Sequence, residues 1–436
     1  VVVNADGTVS VAGETVISPS AGSPTIFENG NAGTPSAAYD ANAQKVVIAY
    51  TDYDNSTYGT AVVGTVSGES ISFGSPVVFA SAVTTQTSST YDTDAQKVVI
   101  VYQDQGNSSY GTAIVGTVSG TSISFGSETV FASVTTNEIS CAYDDNAQRA
   151  VVAYRDSTNA YGKAVIGTVS GTSISFGTPV TFESSSTTTP RPVYDVNAQK
   201  MVIAYTHNGG SLYGKAIVGT VSGTTISFGS SATFESASID WVSSTYDASA
   251  QKVVIAYQDT ANSSYGTAVV GTVSGTSISF GTPVVFESAA TSTTSCAYDS
   301  NSTNVTIAYR DGGNSSYGTA VVGTVSGTSI SFGTPVVFES AYSSYFSCAY
   351  DDNAQRVAIS YRDNGNSSYG TAVVFRNGGT STNLTAENFI GIASNGYATG
   401  QAATINAKGF IDDNQSSLTA GQSYYVQTNG DLGLTA

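Results

Sequence analysis

The chain has 436 residues, 11% of them charged, with 45 Gly, 27 Tyr, one Met, one Trp, one His and a formal net charge of −18. That length allows one large body plus a small extra domain, and the Ser/Thr-rich, β-branched composition favours strands over helices. The acidic balance excludes nucleic acid or an anionic membrane held through a basic face, three Cys exclude a disulfide framework, and the lack of any 18-residue apolar run predicts no membrane insertion.

The chain opens without an initiator Met or a charged leader, which predicts a processed protein or the ordered part of one. Its first segments, Gly7-Thr8-Val9-Ser10 and then Ser23-Pro24-Thr25-Ile26-Phe27-Glu28, are the tail of a repeat whose head is missing. Whole copies follow, each anchored on a Tyr-Asp pair at Tyr39, Tyr91, Tyr143, Tyr194, Tyr246, Tyr298 and Tyr350, at spacings of 52, 52, 51, 52, 52 and 52 residues. Every copy carries YDxNAQKVVIAY, a short Asp/Asn/Ser turn, YGTAVVGTVSG, TSISFG and TPVVFES. The apolar or alternating runs read as four strands, and the polar pieces between them as turns.

Four antiparallel strands per period near 50 is the arithmetic of a β-propeller blade, so the sequence predicts an all-β, seven-bladed propeller over residues 1–376. A Phe stands 12 residues before every Tyr-Asp, and Phe27 keeps that spacing to Tyr39. The last copy breaks at Phe375-Arg376, where the pieces present at the N-terminus are missing, so the N-terminal strand is expected to complete the last blade and remove two open sheet edges. Residues 377–436 lack the repeat. Their Tyr424–Thr428 run entering Asn429-Gly430 is a hairpin signal, and they are read as a small β-rich attachment or assembly domain.

Positions constant among the copies, including the seven Tyr-Asp pairs and the Tyr50-type tyrosines, are read as architecture. The D-x-x-N-S-S-Y-G turn resembles the Asp-box hairpin of sialidase-type propellers, one residue out in spacing, and that likeness transfers no activity. Asp144-Asp145-Asn146 and Asp351-Asp352-Asn353 lack the spacing of a calcium loop. No cofactor or metal site is expected. Cys141, Cys296 and Cys348 occur in the copies that also carry Arg155, Arg310 and Arg362, which suggests contact between the two positions across neighbouring strands. An Arg cluster for a carboxylate ligand is the sharper reading of this pattern, and satisfied inter-strand pairs the plainer one.

Variation concentrates in the stretch before each Tyr-Asp, predicted as a loop on the same face as the turn between the second and third strands. One diversified face on a constant frame is a candidate binding surface. On it fall Trp241, Asp240, Arg191 in the loop entering the fourth copy, His207 in that copy's turn, and the group Tyr342, Tyr345 and Phe346. Aromatic groups beside polar ones suit stacking on sugar rings, while Trp241 and Phe346 could equally plug the rim of the channel. No nucleophile elbow surrounds any Ser, and the acids lie mostly in repeated turns, so catalysis is not expected.

The repeat consensus, with LTAENFIGIA (Leu384 to Ala393) and NQSSLTAGQSYYVQTNGDL (Asn414 to Leu432), resembles tail-fibre and other virion-surface proteins of marine bacteriophages. The resemblance covers most of the chain and rests on architectural motifs; no functional residues carry over, and no fibre shaft or coiled coil is visible. It implies a non-catalytic, homo-oligomeric protein on a virion surface, joined to other virion components. The leading expectation is host attachment through a surface glycan or receptor. A structural or decoration protein is the alternative, and an extracellular glycan hydrolase the weaker one.

Overall fold

The computed structural model describes residues 14–382 without interruption and the short strands Val2–Val3, Val9–Ser10, Gly391–Ala393, Ile405–Ala407, Tyr425–Val426 and Leu432–Gly433. Two compact units result, one of Ser18–Gly378 and one of Val1–Ile17 with Gly379–Ala436. The first seventeen residues thus group with the C-terminal segment, because Glu14–Ile17 pairs antiparallel with Gly379–Thr382. In the same unit Tyr425–Val426 pairs with Leu432–Gly433; the turn expected at Asn429-Gly430 lies outside the described residues.

The larger unit is all strand and turn, apart from a three-residue 3-10 turn at Gln105–Asn107. Its strand pairing has the repeated four-stranded pattern of a β-propeller. In the copy anchored at Tyr91, the inner strand is the end of Val77–Asp92; Lys97–Asp104, Tyr110–Ser119 and Ser122–Phe125 follow outward. Val98, Val99, Ile100, Val101 and Tyr102 all have no exposure, since the second strand packs against neighbours on both faces. An unbroken apolar run rather than an alternating one is what such a strand requires.

The crossing into each copy, expected as a loop, is instead strand. Val77–Asp92 pairs first with Tyr58–Ser67 of the preceding copy, through Gly59↔Ala80 and Ala61↔Val77, and then with Lys97–Asp104 through Tyr91↔Val98. Six of the seven crossings are such single 16-residue strands. Their Ser, Thr, Ala and Val residues offer no turn chemistry and suit extended backbone. The exception breaks into Ala232–Glu235 and Ile239–Asp247, in the copy that carries Trp241. Pairing runs through every copy and returns on itself, with Tyr369–Arg376 bonded to Ser20–Ala21 and to Thr25–Asp40.

The Tyr-Asp pair serves both the joint between neighbouring copies and the turn within each. The Tyr of the Tyr-Asp pair accepts a backbone N–H from the turn of the copy before it, as in Asn42 N to Tyr91 Oη at 3.2 Å, and Asn353 N reaches Tyr39 Oη at 3.2 Å across the ends of the chain. The Asp closes its own turn, with Ala95 N donating to Asp92 Oδ1 at 2.8 Å. The Gly of each Tyr-Gly is required by packing: a Cβ on Gly266 would overlap the Phe286 ring, and one on Gly370 the Phe27 ring. Gly266→Ala is expected to cost about 1–3 kcal/mol by overpacking. Chemical denaturation measures it, and an unchanged midpoint would show that the Phe ring can turn aside.

Candidate functional site on the inner strands

Five residues before each Tyr of the Tyr-Asp pairs, the inner strand holds a residue in the left-handed region: Thr34 (φ 41°), Gln86 (54°), Glu138 (53°), Thr189 (47°), Trp241 (51°), Thr293 (51°) and Tyr345 (56°). The ladder slips at the same places, for example between Gly33 and Ser36, Asp240 and Ser243, and Ser344 and Ser347. Each is a β-bulge, a device that re-aims a side chain. A side chain at positive φ is uncommon, and a β-branched one such as Thr is an outlier. Six of the seven, all but Thr189, line a cavity of about 560 Å³ bounded by the inner strands of every copy. Strain recurring at one position around one cavity marks it as a candidate site.

Thr293 tests the strain directly. It is 6% exposed and its Oγ1 has no partner. Thr293→Gly is therefore expected to be neutral or to stabilise by up to about 1 kcal/mol, the left-handed penalty removed outweighing the chain entropy added. A loss of stability in urea denaturation would show that the backbone there is relaxed.

Just below the bulges runs a belt of serines. Ser347 Oγ accepts from Ala37 N at 2.9 Å, Ser36 from Ser89 N at 2.9 Å, Ser88 from Cys141 N at 3.1 Å, Ser243 from Cys296 N at 3.0 Å and Ser295 from Cys348 N at 3.0 Å. In one copy the belt position is Arg191, and the residue after it is Pro192, which has no N–H to give. Arg191 Nε donates to Val242 O at 3.1 Å and Nη1 to Pro190 O at 3.3 Å. None of the ion pairs among the described residues includes it. Burial lowers its pKa, opposed at longer range by Glu138 and Asp240, and a guanidinium remains a cation regardless.

Of the residues singled out in the sequence, the cavity gathers Arg191, Trp241, Tyr345 and the border of Phe346. Trp241 N donates to Asp240 Oδ1 at 2.8 Å, so Asp240 fixes the bulge, and Thr294 Oγ1 donates to the Trp241 carbonyl. Tyr345 is 39% exposed; Phe346 is 8% exposed, with its ring packed on Phe338 at 5.7 Å and Tyr361 at 6.1 Å, so it is core. Tyr342 does not line the cavity; Arg310 Nη1 donates to its hydroxyl at 2.8 Å and the guanidinium lies 5.3 Å from its ring centre.

His207 is also elsewhere. It lies in the strand Lys200–Asn208, not in a turn, with Nδ1 3.1 Å from Glu183 Oε2. Tyr205 donates to the same oxygen at 3.1 Å and Lys215 Nζ stands 3.6 Å away. Burial opposes the Glu183 charge, but Lys215, a backbone N–H, Tyr205 and His207 together hold its pKa below the usual carboxylate range. The other copies explain this group, since Tyr50 bonds Glu28 and Tyr361 bonds Glu339 in the same way; His207 joins an architectural pair.

The matched Cys and Arg positions do not touch. Cys141 is opposite Val152 and Arg155 opposite Asn137; Cys296 faces Ile307 and Arg310 faces Ser292. Arg362 instead donates to Ser368 Oγ at 3.1 Å, so these arginines form no cluster. Burial pushes all three thiols up to about 12, which leaves them unreactive. Among the described residues, Glu138 is the acid that lines the cavity. No group of residues among those described could hold a metal ion. The bulge positions were missed in the sequence because φ is not written there. Their signal was present: five residues before a constant Tyr, the seven copies read Thr, Gln, Glu, Thr, Trp, Thr and Tyr.

No family model and no curated protein matches the sequence. Among solved structures, the chain is similar to the BP39L lectin from Burkholderia pseudomallei, at 9% identity and a TM-score of 0.59, covering 81% of this chain and 98% of that one. A protein of unknown function from Dyadobacter fermentans shares 12% identity at a TM-score of 0.48, over 84% of this chain and 98% of its own. SapL1 lectin, solved in complex with alpha methyl fucoside, shares 12% identity at a TM-score of 0.43, over 70% of this chain and 96% of its own. At such identities the first likeness is one of fold.

Proposed function

We propose that the chain is a seven-bladed β-propeller that binds carbohydrate without catalysis at the mouth of its central channel, as the host-attachment module of a homo-oligomeric protein on a phage virion. The observation that carries this reading is the ring of bulged residues: left-handed backbone also recurs in the near-constant turns, but around the cavity it falls on a position that varies among the copies. Trp241 and Tyr345 offer faces for a sugar ring, and Glu138 and Arg191 offer groups for its hydroxyls. That BP39L is a lectin agrees with the choice of ligand. The virion setting rests on the resemblance of the repeat and of the C-terminal segment, and the smaller unit is assigned to attachment or assembly on the same ground.

The test is binding of labelled protein to marine bacterial cells and to a glycan array. Trp241→Ala is expected to weaken binding tenfold or more, as loss of a central aromatic anchor does. His207→Ala is the control and should leave binding unchanged. No binding by the folded protein to any cell or glycan would end this reading.

A second reading has its own observation. Ile26, Val78, Val130, Val285 and Val337 occupy one position of the outer strand in five copies and are 38–42% exposed. A stripe of that kind suits packing against neighbouring chains in a decoration protein. Replacing these five by Thr, as Thr181 and Thr233 already stand in the other two copies, should then abolish assembly and spare glycan binding.

A further inference from the structure

We infer that the sugar taken at the channel mouth carries a carboxylate, which Arg191 receives. The inference rests on the carbohydrate reading above and narrows it to acidic sugars, of the uronic or sialic type.

At the belt position six copies place serine and one places arginine. The exchange is costly to the frame. It removes a hydroxyl that elsewhere accepts the next copy's N–H, and it sets a cation within the wall of the cavity. Ser244 Oγ, in the next copy, donates to the Arg191 carbonyl at 3.2 Å, as Ser89 Oγ does to the Ser36 carbonyl at 3.1 Å, but the N–H bond to a serine hydroxyl that accompanies it there is lost. Yet the guanidinium has not been given an anion. Two of its nitrogens bond carbonyl oxygens, and Nη2 has no acceptor among the described residues. A half-buried cation in no ion pair, with Glu138 and Asp240 acting on it only from a distance, is open to an anion in contact, and a bidentate carboxylate is the partner that suits its planar fork best.

The surroundings fit the rest of such a ligand. Trp241 stands one copy along from Arg191, on the same cavity, and its backbone is pinned in the left-handed conformation by Asp240. Glu138, one copy back, cannot serve the carboxylate and is suited to accept hydroxyl protons at the other side of the ring. The net charge of −18 does not oppose this at close range. Salt screens surface charges beyond roughly 8 Å, whereas a guanidinium in contact with its anion is little screened.

The experiment compares sialyllactose with lactose, and oligogalacturonate with its carboxyl-reduced form, by calorimetry on the full chain and on Arg191→Ser. The substitution restores the residue found in the other six copies, so folding is expected to be kept, and a melting curve checks it. Wild type should prefer at least one acid over its neutral counterpart by tenfold or more. Arg191→Ser should abolish that preference without raising the affinity for the neutral sugar. Equal binding of acid and neutral forms, or an acid preference that survives in Arg191→Ser, overturns the inference. So does failure of both acids to bind while neutral sugars on the array do, with the carbohydrate reading intact. Failure of every sugar removes that reading as well.

Discussion

Phe27→Ala is expected to destabilise the protein by about 3–5 kcal/mol, the range for losing a buried aromatic ring. Phe27 is 5% exposed, 5.1 Å from the Tyr50 ring and 5.7 Å from the Phe73 ring, and it covers Gly370 near the other end of the repeat array. Phe286 has the same neighbours in its own copy, Tyr309 at 5.1 Å and Phe332 at 5.6 Å, so Phe286→Ala should cost a similar amount. The two variants should differ in another property. Only the first loosens the pairing of Thr25–Asp40 with Tyr369–Arg376, and an exposed strand edge is a template for association. Denaturation measures the shared loss, and light scattering measures the difference. A Phe27→Ala protein within about 1 kcal/mol of wild type would show that the ends of the array contribute little to its stability.

The second large effect concerns pH. Among the described residues, burial raises the pKa of Glu28, Asp52, Asp144, Asp247, Asp259, Glu339, Asp351 and Asp363, whereas Asp156 and Glu183 are lowered, each against the effect of burial, by Lys163 and Lys215 with local hydrogen bonds. A carboxyl raised on folding keeps its proton where the unfolded chain has lost it. Its stabilising effect is full below the ordinary carboxylate value and is lost as pH rises through the raised one. With eight such groups against two among the described residues, the protein is expected to be more stable in mild acid than at neutral pH, the reverse of a chain held by paired carboxylates.

Tyrosines and thiols act in the same direction at higher pH. Burial moves Tyr39, Tyr246 and Tyr350 from 10.0 to about 12, and pushes the three thiols from 9.0 to about 12. The buried Tyr50, Tyr102, Tyr309 and Tyr361 are raised further. Each ionises more readily when unfolded, so stability falls again from about pH 9 upward. Melting temperatures at fixed ionic strength should decline as pH rises out of the ordinary carboxylate range and fall steeply above about pH 9. A flat profile, or a maximum near pH 8, would contradict the burial of these groups.

Much of the fold was legible because packing repeats in sequence. The Phe twelve residues before each Tyr-Asp and the Gly after each Tyr are two sides of one contact, seen at Phe286 and Gly266. The crossings were misread as loops because Ser and Thr are common in both loops and strands, and no Gly or Pro pattern separated the two. The site was half legible. Trp241, Arg191 and Tyr345 stand out by residue type, and they do share a cavity. His207 stood out equally and belongs to an architectural carboxylate, because rarity in a sequence says nothing about which neighbour a side chain meets. Paired occurrence of Cys141 with Arg155 likewise marked similar copies rather than touching residues.

Each crossing carries the covalent chain from the outside of one sheet to the inside of the next, so no boundary between sheets depends on contact alone. Within the larger unit, the circuit is held without a peptide link inside a sheet, where Tyr369–Arg376 meets Ser20–Ala21 and Thr25–Asp40. That pairing does not distinguish a chain's own N-terminal segment from an identical one on a second molecule. At high concentration during refolding, therefore, segments can be exchanged: two chains trading them reciprocally give a closed dimer, and each passing its segment onward gives an open filament. The length of such assemblies would be set by how often the ring closes on itself before a neighbour's strand arrives.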